Sequence, residues 1–111
     1  MKVSELVQEL GLEVLGGREG IGREISGGYT SDLLSDVMGH AVAGNIWVTL
    51  QTHKNVMAIA SLKDLAAVVL VKGYQPEPDM LGQSEIEGIP VLGTNEEAFG
   101  ITGKIYKLLA V

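Results

Sequence analysis

The chain has 111 residues, 46% of them apolar and 20% charged, with a formal net charge of −6, two histidines and no cysteine. One domain of that length hides only about two-thirds of the surface its unfolded chain exposes. So large an apolar share, with a mean hydropathy of +0.25, therefore predicts a second buried surface, most simply a homodimer. The acidic balance with scattered Lys and Arg argues against a nucleic-acid partner and against an anionic membrane surface. The missing cysteines exclude disulfides, thiolate zinc sites and ordinary iron–sulfur clusters.

In chain order, Val3, Leu6, Val7 and Leu10 predict a short helix that Ser4 can cap and Gly11 can end in the left-handed region. Glu5, Glu9 and Glu13 break up this N-terminus, so it does not read as a signal peptide. No apolar run approaches a membrane span, and a cytoplasmic location is expected. Glu13-Val14-Leu15 reads as a short strand. Residues 16–28 are glycine-rich around Arg18, Glu19, Arg23 and Glu24 and predict turns with one irregular strand. Within them Gly17-Arg18-Glu19-Gly20-Ile21-Gly22 reverses the glycine spacing of a dinucleotide fingerprint and follows no strong strand, which leaves a flexible turn.

From Tyr29 onward short apolar runs alternate with stretches of helical period, the pattern of βα units. A helix over Asp32–Met38, capped by Ser31, precedes a strand over Asn45–Gln51 and its helix over Asn55–Leu62. The next pair is Ala66–Val71 and Pro78–Glu87. The last is a strand over Ile89–Leu92 and a helix from about Asn95 to Leu109, whose start Thr94-Asn95-Glu96-Glu97 marks as a capping box. The continuous run Val68-Val69-Leu70-Val71 belongs in mid-sheet. In the final helix Ala98, Ile101, Ile105, Leu108 and Leu109 form one apolar stripe. Phe99 and Tyr106 widen it beyond what one sheet face needs, and Gly100 and Gly103 would permit close backbone approach. The expected fold class is α/β: a single three-layer α/β/α domain over 1–111, with a mostly parallel sheet built from βα units. Residues 1–28 supply a helix, a short strand and the glycine-rich segment, and residues 29–111 supply the βα units.

No sequence feature assembles an enzyme. Gly103-Lys104 is followed by Ile105 and lacks the preceding glycine of a phosphate-binding loop, and no Gly-x-Ser-x-Gly elbow occurs. The carboxylates Glu96-Glu97 and Glu77/Asp79 sit at helix starts, where they complement the helix dipole. His40 sits where it can meet the last carbonyls of its helix. We expect no catalytic residue, no metal ligand and no cofactor. Any ligand is expected at the carboxyl ends of the strands, where strand-to-helix turns share one edge. Gln51, Thr52, His53, Lys54 and Asn55 would meet Lys72 and Gly73 there, together with Thr94 and Asn95, at an edge suited to a small anion. The alternative is that Thr52, Asn55, Thr94 and Asn95 cap helices while the lysines face solvent.

Three segments carry a family resemblance: Gly28-Tyr29-Thr30-Ser31-Asp32-Leu33-Leu34-Ser35-Asp36-Val37, Thr49-Leu50-Gln51-Thr52-His53-Lys54-Asn55 and Gly88-Ile89-Pro90-Val91-Leu92. Through them Tyr29 to Leu109 resembles the DRTGG domain family, itself similar to the N-terminal domain of HPr kinase/phosphorylase. The likeness is to short stand-alone members found beside iron-only hydrogenase genes. His53-Lys54 stand where Asp-Arg would be expected, and Val71-Lys72-Gly73 where Thr-Gly-Gly would be. The resemblance implies a non-catalytic, dimeric regulatory or interaction domain, with a hydrogenase-system protein as a possible partner. The alternative function is a sensor for a small anionic ligand, a nucleotide or phosphometabolite. An enzyme ranks third.

Overall fold

A run such as Ala67-Val68-Val69-Leu70, apolar at every position, is stable as a strand only if both of its faces are covered. In the computed structural model, which describes residues 1–110, that run is β4 (Ala67–Leu70), and all four residues are buried. Beside it lie β3 (Asn45–Thr49), buried throughout, and β5 (Val91–Gly93). β2 (Gly27–Thr30) and β1 (Glu13–Gly16) complete one five-stranded sheet in the order β1-β5-β4-β3-β2. β2, β3, β4 and β5 are parallel, with Tyr29 beside Trp47, Trp47 beside Val68 and Val68 beside Val91. Only β1 runs antiparallel, on β5, and its register slips at a bulge between Val14 and Gly16.

Side chains alternate across the sheet, and two apolar layers follow. Ile46, Val48, Val69 and Leu92 face α1 (Val3–Leu10) and α5 (Ala98–Leu109), which contribute Val3, Leu6, Ile101 and Ile105. Trp47, Val68, Leu70 and Val91 face α2 (Leu34–His40), α3 (Asn55–Leu62) and α4 (Pro78–Glu87), which contribute Val37, Val56, Met57 and Met80. This is the expected three-layer α/β/α arrangement. The helices over Asn55–Leu62 and Pro78–Glu87 have the expected bounds, and Gly11 ends α1 at φ 62°.

Several expected caps differ. Glu5 Oε1 accepts from the Lys2 N–H at 2.9 Å, so α1 is closed from Lys2 and Ser4 lies inside its first turn. Ser31 Oγ accepts from Leu33 N at 3.2 Å and Thr94 Oγ1 from Glu96 N at 3.2 Å. Both hydroxyls close a turn two residues long, a local alternative to capping that the same residue types favour. α2 therefore starts at Leu34 rather than Asp32, and α5 at Ala98 rather than Asn95. The segment expected to be a flexible turn is packed instead. Residues Arg18–Gly20 form one 3₁₀ turn, and Gly17, at φ +66°, and Gly20 press their backbones onto Ile89-Pro90 and Gly88 so closely that a Cβ at either would collide. In α5 nothing approaches Gly103, so the close contact expected there does not form within the subunit.

Candidate functional site

The turns after β4 and β5 are laced together. Lys72 N donates to Glu96 O at 2.8 Å and Gly73 N to Thr94 O at 2.9 Å, while Thr94 N returns a bond to Leu70 O at 3.0 Å. Lys72 and Gly73 both take positive φ, 59° and 71°. For glycine that region is open, and for lysine it is uncommon. Between these turns and the end of α1 lies a groove of about 320 Å³ lined by Gly73, Tyr74, Thr94, Asn95, Glu96 and Glu13, among others. A Cβ at Gly73 would stand 3.0 Å from Asn95 Oδ1, so the absent side chain keeps the groove open. The lining carries two carboxylates, one of them (Glu96) paired with Lys104 at 2.9 Å, and no cation.

Of the residues nominated from the sequence, Gly73, Thr94 and Asn95 line this groove; Gln51, Thr52, His53, Lys54, Asn55 and Lys72 do not. The turn after β3 leans instead toward the start of α4: Glu77 N donates to Thr52 O at 2.9 Å. Lys54 begins α3 in helical geometry with Asn55 as its first residue, and neither side chain caps it. Lys54 and Lys72 are exposed and make no salt bridge among the described residues.

What holds the end of β3 is Asp32. Its Oδ1 accepts from the Thr49 hydroxyl at 2.8 Å and from Leu50 N at 2.9 Å, and its carbonyl accepts from Gln51 Nε2 at 2.9 Å. Next to it Trp47 Nε1 donates to Ser31 O at 2.8 Å. On the same connection Tyr29 OH donates to Asp36 Oδ1 at 2.9 Å, and His40 Nδ1 lies 3.2 Å from that oxygen. The Ser31 and Tyr29 hydroxyls, then the charge of His40, hold the Asp36 carboxyl below the usual carboxylate range. The bond to Asp36 in turn raises the Tyr29 phenol. A Tyr–Asp–His chain of this kind orders a loop. No nucleophile is hydrogen-bonded to the imidazole, whose polar partners among the described residues are both on Asp36, and so the Tyr–Asp–His chain lacks the geometry of a nucleophilic triad. Among the described residues no group of three or more His, Asp and Glu could hold a metal ion.

A larger cavity, about 460 Å³, lies where no site was expected, between β2 and α5. Gly27, Gly28, Ile46, Val48, Ile105 and Tyr106 are among its walls. The sequence signal for it was the over-wide stripe of α5, because Phe99 and Tyr106 are 94% and 73% exposed while Trp47 is buried.

No family model matches the sequence, and no curated protein matches it. The fold, however, has a counterpart among solved structures. It is similar to a crystal structure of the CBS and DRTGG domains of the regulatory region of Clostridium perfringens pyrophosphatase, complexed with the activator diadenosine tetraphosphate. The TM-score is 0.70 at 12% identity, over 95% of this chain and 45% of that one. This chain thus spans less than half of the regulatory region it resembles, and the likeness shows an α/β fold shared with part of that CBS and DRTGG region. No helix among the described residues is long and apolar enough to cross a membrane.

Proposed function

We propose that this chain is a non-catalytic regulatory or interaction domain that works as a homodimer. The observation that carries the reading is the larger of the two concavities described above. It is an apolar groove between a strand edge and a helix whose aromatic side chains stand in solvent, an exposed apolar surface of the kind that marks a protein–protein contact. Its fold is found in the regulatory region of an enzyme, and the Tyr29–Asp36–His40 chain lacks the geometry of a nucleophilic triad. The resemblance of residues 28–37, 49–55 and 88–92 to short DRTGG members beside iron-only hydrogenase genes supports an accessory role in such a system. Light scattering tests the dimer: a mass of twice 11.8 kDa is expected, and a concentration-independent monomer refutes it. Deleting the coding sequence in a host with an iron-only hydrogenase tests the second part, with lowered hydrogen output expected.

A second reading, a ligand sensor, is favoured by the 320 Å³ groove at the carboxyl ends of β4 and β5 and by the nucleotide activator bound to the similar regulatory region. Lys72, exposed and next to Gly73 in the turn after β4, would supply positive charge near that edge, while Gly73, Thr94 and Asn95 line it. A thermal-shift titration with diadenosine tetraphosphate and simple nucleotides separates the readings, because a ligand at 100 times its Kd stabilises by about 2.7 kcal/mol. Loss of that shift in Lys72→Ala and Asn95→Ala would place the ligand here, and no shift with any nucleotide favours the pure interaction domain.

A further inference from the structure

The two edges of the sheet are built differently. β1 opens on the exposed Glu13 and is kinked by its bulge, and charges and bulges are what keep an edge strand from pairing with another chain. β2, at the far end of the sheet, has neither. It is Gly27-Gly28-Tyr29-Thr30, without a charge or a proline, in regular register with β3 on one side and, among the described residues, with no strand on the other.

The helix layers flanking β2 are unfinished at the same place. The Thr30 hydroxyl meets that of Thr102 at 2.8 Å, so Thr30 faces α5, and Gly28, two residues earlier, faces the same way. The side chain missing at Gly28 opens the apolar groove down to Ile46 and Ile105. Phe99 and Tyr106, seven residues apart, lie along one stripe of α5, with the uncontacted Gly103 between them. On the opposite face the Tyr29–Asp36 bond seats α2 over β2, and Leu33, Met38 and Val42, within or beside α2, are exposed.

Charge identifies the occupant. Each copy carries a net charge of −6, so two copies repel one another over most of their surfaces, yet among the described residues no charged side chain lines the groove beside β2. An isologous contact sets a patch against itself. A neutral strand edge meets that condition, since in an antiparallel pair each N–H faces a C=O of the same strand in the other copy. We infer that β2 is the dimer interface: two copies join β2 to β2, antiparallel, so that one sheet runs through both with five strands from each. α5 then packs on its counterpart through Phe99 and Tyr106, and α2 on its counterpart through the opposite layer. The inference rests on the dimer reading proposed above and names the surface that reading needs.

The full chain tests it directly. Phe99→Glu and Tyr106→Glu change side chains that are 94% and 73% exposed, so the fold, read by circular dichroism, is expected to persist. Light scattering should give twice the chain mass for the wild type and the chain mass for the double variant, with the dimer dissociation constant raised at least tenfold. Leu62→Glu with Ile86→Glu, on the exposed apolar residues of α3 and α4, should leave the dimer intact. Because the chain has no cysteine, Gly28→Cys alone, at the centre of β2 where an added Cβ meets only the Ile46 carbonyl at 3.5 Å, should yield an oxidised, disulfide-linked dimer, and Ile86→Cys should not. A wild-type monomer overturns both the dimer and this surface. A dimer that survives the α5 changes, or that Gly28→Cys cannot link, overturns the surface alone. A wild-type monomer that instead takes up an extended apolar peptide at Thr30 would assign the edge to a foreign strand.

Discussion

Replacing Asp32 by alanine removes the one carboxylate oxygen shared by the Thr49 hydroxyl and the Leu50 N–H, at 2.8 and 2.9 Å. Thr49 is 1% exposed, so its hydroxyl loses an anionic acceptor where water does not easily replace it. A hydrogen bond to a charged group contributes about 1.5–3 kcal/mol. Asp32 itself is exposed and both bonds end on one atom, which places the combined loss near the lower part of that range, about 2 kcal/mol. With a urea slope of roughly 1–3 kcal/mol per molar for a small domain, the unfolding midpoint should fall by about 1 M. Asp32→Asn keeps an oxygen acceptor and gives up only the charge, and because charge-assisted bonds are about twice as strong as neutral ones, it should lose about 1 kcal/mol. Trp47, the single tryptophan, bonds to Ser31 one residue away, so its fluorescence at one fixed protein concentration reports the transition. An alanine variant within about 0.5 kcal/mol of the wild type, the range of an ordinary surface substitution, would refute the assignment of Asp32 as the anchor of β3. An asparagine variant as unstable as alanine would refute the claim that charge carries half of the effect.

Gly20→Ala should cost about 3 kcal/mol in the same assay, because the new methyl meets the Gly88 carbonyl rather than a movable side chain; Gly22→Ala, with open space around it, should change little. Trp47→Phe should destabilise by about 2 kcal/mol or more, from lost volume and from the Ser31 carbonyl left without its donor. The lowered Asp36 value means that its contribution to stability is fully present above the unfolded carboxylate value of about 4 and is lost as pH falls through the lower folded value. The raised Tyr29 value means that its contribution is present below about pH 10 and is lost above it. Asp36→Asn should therefore weaken the protein at neutral pH and approach the wild type in strong acid, as thermal unfolding across pH will reveal.

The regular parts of this fold are written in residue spacing. Asn55–Leu62 and Pro78–Glu87 have the expected bounds because each helix sits between a strand and turn residues that cannot extend it, and β4 was readable as central because no polar residue interrupts it. Caps were not readable to the same degree. Ser31 and Thr94 have the right hydroxyls, but a hydroxyl that accepts from the second residue onward makes a turn as readily as a cap, and only the path of the chain between sheet and helix decides which. β2 was the hardest element to see, since Gly27 and Gly28 give no strand propensity and Tyr29 alone points to the sheet. The groove beside it depends on which way Gly28 faces, which the register with β3 fixes and the sequence does not. Of the expected ligand edge, the turns after β4 and β5 could be paired by topology alone, whereas Thr52 was drawn away by Glu77, a contact 25 residues distant.

The bulge in β1 also sets how far association can go. A parallel sheet with two regular, uncharged edges would be divalent, and each added copy would offer a fresh edge to the next, which is the geometry of a fibre. Here the Val14–Gly16 irregularity and the exposed Glu13 leave β2 as the one regular, uncharged sheet edge among the described residues. In the proposed dimer, two β2 edges that meet would consume each other, so the assembly would close at two copies, and concentration would change how many pairs there are without changing their size.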